Sequence, residues 1–181
     1  MSQTTAFITQ LTSERRFGSG ERARLRALAG QGLDENTPGF DLFTGLWWPL
    51  RQKSAAAPRR EVAWLVTKLY AASAVPHVGA NVWAGMTLPQ LLGRSERREP
   101  KAQERLCRRF DVLLQTPLNG LEPHLCWALS VARSAVVARR ARGIDWVQLT
   151  DDLSIWDRGE EHGRNQDVRD IWAEQYLNAA K

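Results

Sequence analysis

The chain predicts an all-α protein, a compact multi-helix bundle of about eight helices. Three observations carry this. Apolar residues recur at spacings of three and four along most of the sequence, and few segments alternate with period two. Proline and glycine fall between these periodic stretches or in their first turns. The connections that remain are mostly short, as in a bundle. A chain of 181 residues can bury a sizeable core, so a single all-helical domain over 1–181 is expected. Helical subdivisions 1–93 and 94–181 are possible, because the apolar stripe stops where GRSERREPK intervenes.

Taken in order, Phe7, Ile8 and Leu11 begin a short helix. The next stretch, GSGERARLR from Gly18 to Arg26, has the Gly-x-Gly-x-x-Ala spacing of a dinucleotide fingerprint. That fingerprint needs a buried strand before it and an acidic residue on a second strand about twenty positions later. Here the preceding ITQLTSERRF is polar with helical spacing, so a turn into a helix from Gly20 to Leu28 is the better account. Ser19 is a candidate cap for it, and Arg22 and Arg26, at i and i+4, share a face. Phe40, Phe43, Leu46 and Trp47 predict a third helix, stopped near Pro49, and 51–58 reads as a loop.

The clearest stripe, Val62, Leu65, Val66, Leu69 and Tyr70, predicts a helix from Arg59 to Ala74. Residues 76–87 read as a loop, and Leu88 to Leu92 as a short helix. A long helix from Ser95 to Gln115 follows, with Pro100 tolerable only near its first turn. Leu121 to Arg142 is the next, closed by Gly143, with Leu125, Ala128, Leu129, Ala132 and Val136 inward. Asp145 caps a helix from Trp146 to Ile155, 157–165 is a polar connector, and Asp167 to Leu177 completes the bundle. Trp146, Trp156 and Trp172 are expected to be core anchors.

Charge is unevenly placed. The formal net charge is +5 and the pI about 9.8. Residues 1–93 hold 10 basic and 6 acidic side chains, 94–144 hold 11 and 5, and 145–181 hold 4 and 9. A basic body with an acidic tail suits a polyanion on one face and a different partner elsewhere. Within the long helix, Arg98, Lys101, Arg105, Arg108 and Arg109 follow three- and four-residue steps beside the stripe of Ala102, Leu106, Phe110 and Leu113. Such a ridge can track phosphates, although Glu96, Glu99 and Glu104 compete for some of its charge. Arg139, Arg140 and Arg142 end a helix, where cations are favoured anyway. No aromatic interleaves with the basic face, since Phe110 belongs to the apolar side, so contact with sugar and phosphate fits better than base stacking.

Other chemistries find little support. His77, His124 and His162 are far apart, and Cys107 and Cys126 form no C-x-x-C pair, so no metal or other cofactor is expected. Both cysteines read as buried free thiols of a reducing compartment. The pairs Asp151–Asp152 and Glu160–Glu161 would suit a metal-dependent nuclease only if they converged; they read as exposed helix surface. No nucleophile signature occurs, and no catalytic residue is assigned. A helical DNA-binding regulator would need a helix-turn-helix, and the Gln31–Asn36 junction is too loop-like for one. With neither a membrane span nor a signal peptide, the cytoplasm is the expected compartment.

Five stretches occur in a familiar order: GERARLRAL (20–28), PRREVAWLVTKLYA (58–71), ERLCRRFDVLL (104–114), IDWVQLTDDLSIWD (144–157) and VRDIWAEQYL (168–177). Together they resemble the CasB small subunit of the type I-E CRISPR Cascade complex over nearly the whole chain. The resemblance implies an all-α, non-enzymatic subunit, present as a pair of copies beside other Cascade subunits. It implies a basic surface that holds the displaced DNA strand and supports the duplex of guide RNA and target DNA, with no membrane partner. Arg26 falls where the family's A-x-L-R piece places a basic residue, and Arg108 and Arg109 fall in its R-R-F piece. Arg22, Lys101 and Arg105 are added by helical geometry alone. The expected nucleic-acid-binding set is therefore Arg22, Arg26, Lys101, Arg105, Arg108 and Arg109. The longer segment 76–100 departs from the family pattern, so Arg94, Arg97 and Arg98 carry no assignment.

Overall fold

A computed structural model describes residues 3–15, 17–32, 45, 47–52, 58–79, 85–95, 100–157 and 167–180. In chain order its helices are α1 (Gln3–Thr12), α2 (Ser19–Arg26), α3 (Arg60–Ser73), α4 (Leu88–Arg94), α5 (Pro100–Gln115), α6 (Glu122–Val137), α7 (Trp146–Ser154) and α8 (Val168–Ala180). Residues 47–52 are helical as well, so the chain turns through Pro49 instead of stopping there. Phe40, Phe43 and Leu46 lie outside the described residues, as do Arg98, Glu96, Glu99, Glu160, Glu161 and His162.

The stripe at 62–70 becomes the centre of the bundle. Val62 to Ala71 are all buried, on every side of α3, because α2, α6 and α7 each pack against it. This explains a lysine in the interior. Lys68, only 4% exposed, pairs with Glu122 at 2.6 Å and donates to the Gln31 carbonyl at 2.9 Å. A buried ammonium left without such partners would be strongly destabilising.

The aromatic residues behave as anchors. Trp146, Trp156 and Trp172 are fully buried, and Trp156 meets Trp172 edge-on at 4.9 Å. Each indole N–H finds an acceptor: the Val75 carbonyl for Trp146, the Thr116 carbonyl for Trp156 and the Asp152 carboxylate for Trp172. A large ring with a satisfied polar tip can be buried without the penalty of an orphan donor.

Helices α4 and α8 form the most extensive helix–helix contact, and Gly93 permits it. A Cβ at position 93 would sit 2.3 Å from the Tyr176 carbonyl oxygen, so only glycine allows the two backbones this approach.

A short parallel ladder is the feature the sequence pattern misses. β1 (Gly85–Met86) pairs with β2 (Gly143–Ile144), and His77 bridges to Ile144. Two residues per strand are too few to show any periodicity. Gly143 belongs to this ladder and does not close α6: its φ is +158°, and a Cβ there would meet the Pro76 carbonyl oxygen at 2.3 Å. The helix stops earlier, at Val137. Arg139 takes the left-handed conformation with φ 57°, its N–H bonding Val136, while the Arg140 N–H bonds Ala135. That two-bond closure satisfies the last carbonyls without a glycine.

At other helix starts the chemistry varies. Asp145 caps α7, accepting from the Val147 and Gln148 amides as expected. Thr87 and Gln90 form a reciprocal capping box on α4. For α2 the cap position is Gly18, one residue before Ser19, and it makes no side-chain bond. Among the described residues, no helix is long and apolar enough to cross a membrane.

Candidate nucleic-acid interface

Helix α5 begins at Pro100, in the first turn, where a proline's missing N–H costs no helical bond. Its inner face seats Leu106, Phe110 and Leu113 in the core. Phe110 stacks on Tyr176 of α8 at 4.5 Å, and the Tyr176 hydroxyl lies 3.2 Å from the Cys107 sulfur. Burial, reinforced by the contact with Cys107, pushes the Tyr176 phenol well above its usual range, so it stays protonated. With the inner face fixed, the outer face is fixed too, and it is basic.

Lys101, Arg105, Arg108 and Arg109 are all exposed on that face. Lys101 and Arg105 form no ion pair among the described residues. Arg108 meets Glu104 at 2.6 Å, but both side chains are more than half exposed, so solvent screens the pair. Arg109 lies over the Trp127 ring, 5.2 Å from its centroid.

The arginines of α2 are placed differently. α2 packs on α3, whereas α5 packs on α6 and α8. Arg22 is held near Glu14 at 3.9 Å with 28% of its side chain exposed, and its Nε is buried without an acceptor among the described residues. Arg26 is exposed, yet its Nε donates to the Ala71 carbonyl at 3.3 Å, which leaves the outer edge of the guanidinium to solvent. The structure thus gathers Lys101, Arg105, Arg108 and Arg109 on one helix and leaves Arg22 and Arg26 on another, each tethered to the body.

Between α5 and α6 lies a groove of about 400 Å³. Ala102, Leu106, Trp127 and Val131 supply its apolar walls, and Arg105, Arg108 and Arg109 its basic rim. Trp127 is the residue that sequence reasoning did not connect to the ridge. Its signal was the spacing to Val131, four residues on, which forms a narrow apolar strip beside the main stripe of α6.

The remaining candidates have structural duties. Asp151 accepts from the Thr4 hydroxyl at 2.7 Å. Asp152 is buried rather than exposed: it accepts from the Trp172 indole and the Gln148 amide, both at 2.7 Å. It turns inward because α8 packs over it and offers that indole. Nδ1 of His77 accepts from the Trp146 amide at 3.2 Å. Cys107 and Cys126 are free thiols, half-buried rather than enclosed. Among the described residues, no group of three or more His, Cys, Asp or Glu side chains converges as a metal site.

A family model described as CRISPR-associated protein Cse2 matches residues 21–177. Among solved structures, a Cse2-family CRISPR-associated protein from Thermus thermophilus is similar at 23% identity and a TM-score of 0.66, covering 98% of this chain and 99% of that one. CasB from Thermobifida fusca is 19% identical, with a TM-score of 0.65 and coverage of 96% and 95%. CasB from M. ruber is 20% identical, with a TM-score of 0.68 and coverage of 98% and 94%. At these identities the structures establish a shared all-helical fold. No curated protein matches the chain.

Proposed function

Because the chain belongs to the Cse2 family of CRISPR-associated proteins, we propose that it acts as the non-catalytic small subunit of a type I-E Cascade complex in antiviral defence, in the cytoplasm. In this reading it binds the nucleic-acid backbone without reading sequence and stabilises the R-loop. Its partners are the displaced DNA strand, the duplex of guide RNA and target, other Cascade subunits and a second copy of itself.

The observation that carries the proposal is the outer face of α5, where Lys101 and Arg105 are exposed, without acidic partners among the described residues, beside Arg108 and Arg109. R-loop formation exchanges one duplex for another of similar stability, so a few phosphate contacts can tip it. Each phosphate neutralised on a single strand adds about 0.7 to the salt slope. Arg26 contributes through the free edge of its guanidinium. Arg22, closer to Glu14 and less exposed, contributes least.

The test is the lifetime of the R-loop on reconstituted Cascade carrying wild-type subunit or Lys101→Glu/Arg105→Glu/Arg109→Glu. A shortened lifetime is expected, with the gap to wild type narrowing as added salt weakens the wild-type contacts. Equal lifetimes would refute the role.

A further inference from the structure

We propose that the groove between α5 and α6 receives one unpaired nucleobase, stacked on the Trp127 indole, while Arg105 and Arg108 hold the adjoining phosphates; this rests on the nucleic-acid reading above. It adds a contact to the base itself, where that reading has contacts to the backbone alone.

The chemistry of the groove supports a nucleotide. A base is flat, apolar on its faces and tethered to an anion. Here an apolar wall of Ala102, Leu106, Trp127 and Val131 stands under a rim of three guanidinium groups. Its volume, about 400 Å³, falls in the range of small-ligand pockets, about 300–1,000 Å³.

Trp127 also stands apart from the buried indoles. The N–H groups of Trp47, Trp64, Trp146, Trp156 and Trp172 all donate to a carbonyl or carboxylate. That of Trp127 has no acceptor among the described residues, and its ring is only partly buried. Arg109, 5.2 Å from the ring centroid, brings a second planar group to the same place. Bases splayed from a single strand stack on aromatic rings and on guanidinium planes alike. Such stacking is indifferent to base identity, since every base has a π-face. An apolar side chain from a protein partner would fill the wall but leave the cationic rim unanswered.

Two fluorescent strands of equal length and charge test this on the full chain, one of thymidine nucleotides and one fully abasic. Wild type should bind the thymidine strand on the order of 10-fold more tightly, the effect of one stacked base. Trp127→Ala should erase that preference while leaving the abasic strand's affinity and salt slope unchanged. Trp127→Phe should retain most of it. Val131→Glu keeps the indole but places a carboxylate in the groove, and should also erase it. Equal binding of both strands by wild type, or an undiminished preference in Trp127→Ala and Val131→Glu, would overturn the proposal. So would loss of association with other Cascade subunits in variants whose preference persists, which would assign the groove to a protein. Failure of wild type to bind either strand in a salt-dependent way would instead defeat the backbone reading beneath it.

Discussion

On α2, Arg22 turns back to Glu14 and Arg26 to the Ala71 carbonyl, while Arg24 between them is exposed. On α5, Lys101 and Arg105 stand in solvent, Arg108 keeps only an exposed partner, and Arg109 leans on an aromatic ring. The two helices carry similar charge at similar spacing. What separates them is the neighbour each one meets. α2 lies against the crowded central helix, whose Ala71 carbonyl takes the Arg26 guanidinium, and Glu14, just before α2, holds Arg22. α5 presents its apolar side to α6 and α8 and has nothing packed on its other side among the described residues. Helical spacing thus identifies which basic residues share a face, and tertiary surroundings decide whether that face is free.

The sharpest way to break this contrast is charge reversal on each helix in turn. Lys101→Glu/Arg105→Glu/Arg109→Glu should lower affinity for a single strand on the order of 100-fold and flatten the salt slope by about 2. Arg22→Glu/Arg26→Glu should change the slope by less and instead lower the melting temperature, since it sets one acid beside Glu14 and another beside the Ala71 carbonyl. Isothermal titration across a salt series, with a melt of each variant, measures both. Equal slopes for the two variants would erase the distinction.

A second prediction concerns the seat of α5. Tyr176 stacks on Phe110, and the backbone at Tyr176 is the surface that Gly93 must clear. Gly93→Ala forces α4 and α8 apart, costing about 3 kcal/mol. In a chain of this size that corresponds to a fall in melting temperature of roughly 10 °C. Strand affinity should fall with it if α8 sets the attitude of the ridge. A melt unchanged from wild type would show that α4 can shift at no cost.

The smallest expected effect lies at Asp152, where α7 meets α8. Burial, only partly offset by the Trp172 and Gln148 hydrogen bonds, pushes its carboxyl up to about 6 from an ordinary 3.8. The native state therefore keeps this proton over an interval in which the unfolded chain has lost it. The group's contribution is full below about pH 4, declines as pH rises, and is gone above about pH 6. Asp152→Asn removes the titration, so the melting temperature of wild type minus variant should fall as pH rises through that interval. A difference that grows with pH would show the carboxylate to be favoured as the anion.

Much of the fold was legible because long helices advertise themselves. The stripe at 62–70, the anchors Trp146, Trp156 and Trp172, and the Asp145 cap all stand where periodicity and local chemistry put them. The ladder at 85–86 and 143–144 left no trace, since its strands are shorter than any pattern. Gly143 misled for a related reason: a glycine after a helix reads as a stop, and only tertiary structure shows it clearing the Pro76 carbonyl. Asp152 looked like surface because its partner, Trp172, lies twenty residues away on another helix. The ridge on α5 was legible as charge, whereas the groove beside it needed α6 to bring Trp127 across.

The burial of Lys68 has a practical consequence for studying this surface. The chain contains four lysines, and this one is sealed against Glu122 with 4% exposure. Lys101, by contrast, stands open on α5. An amine-directed acylating reagent would therefore spare the former and mark the latter, so footprinting by mass spectrometry reports occupancy of the ridge on native protein, with Lys68 as the internal control.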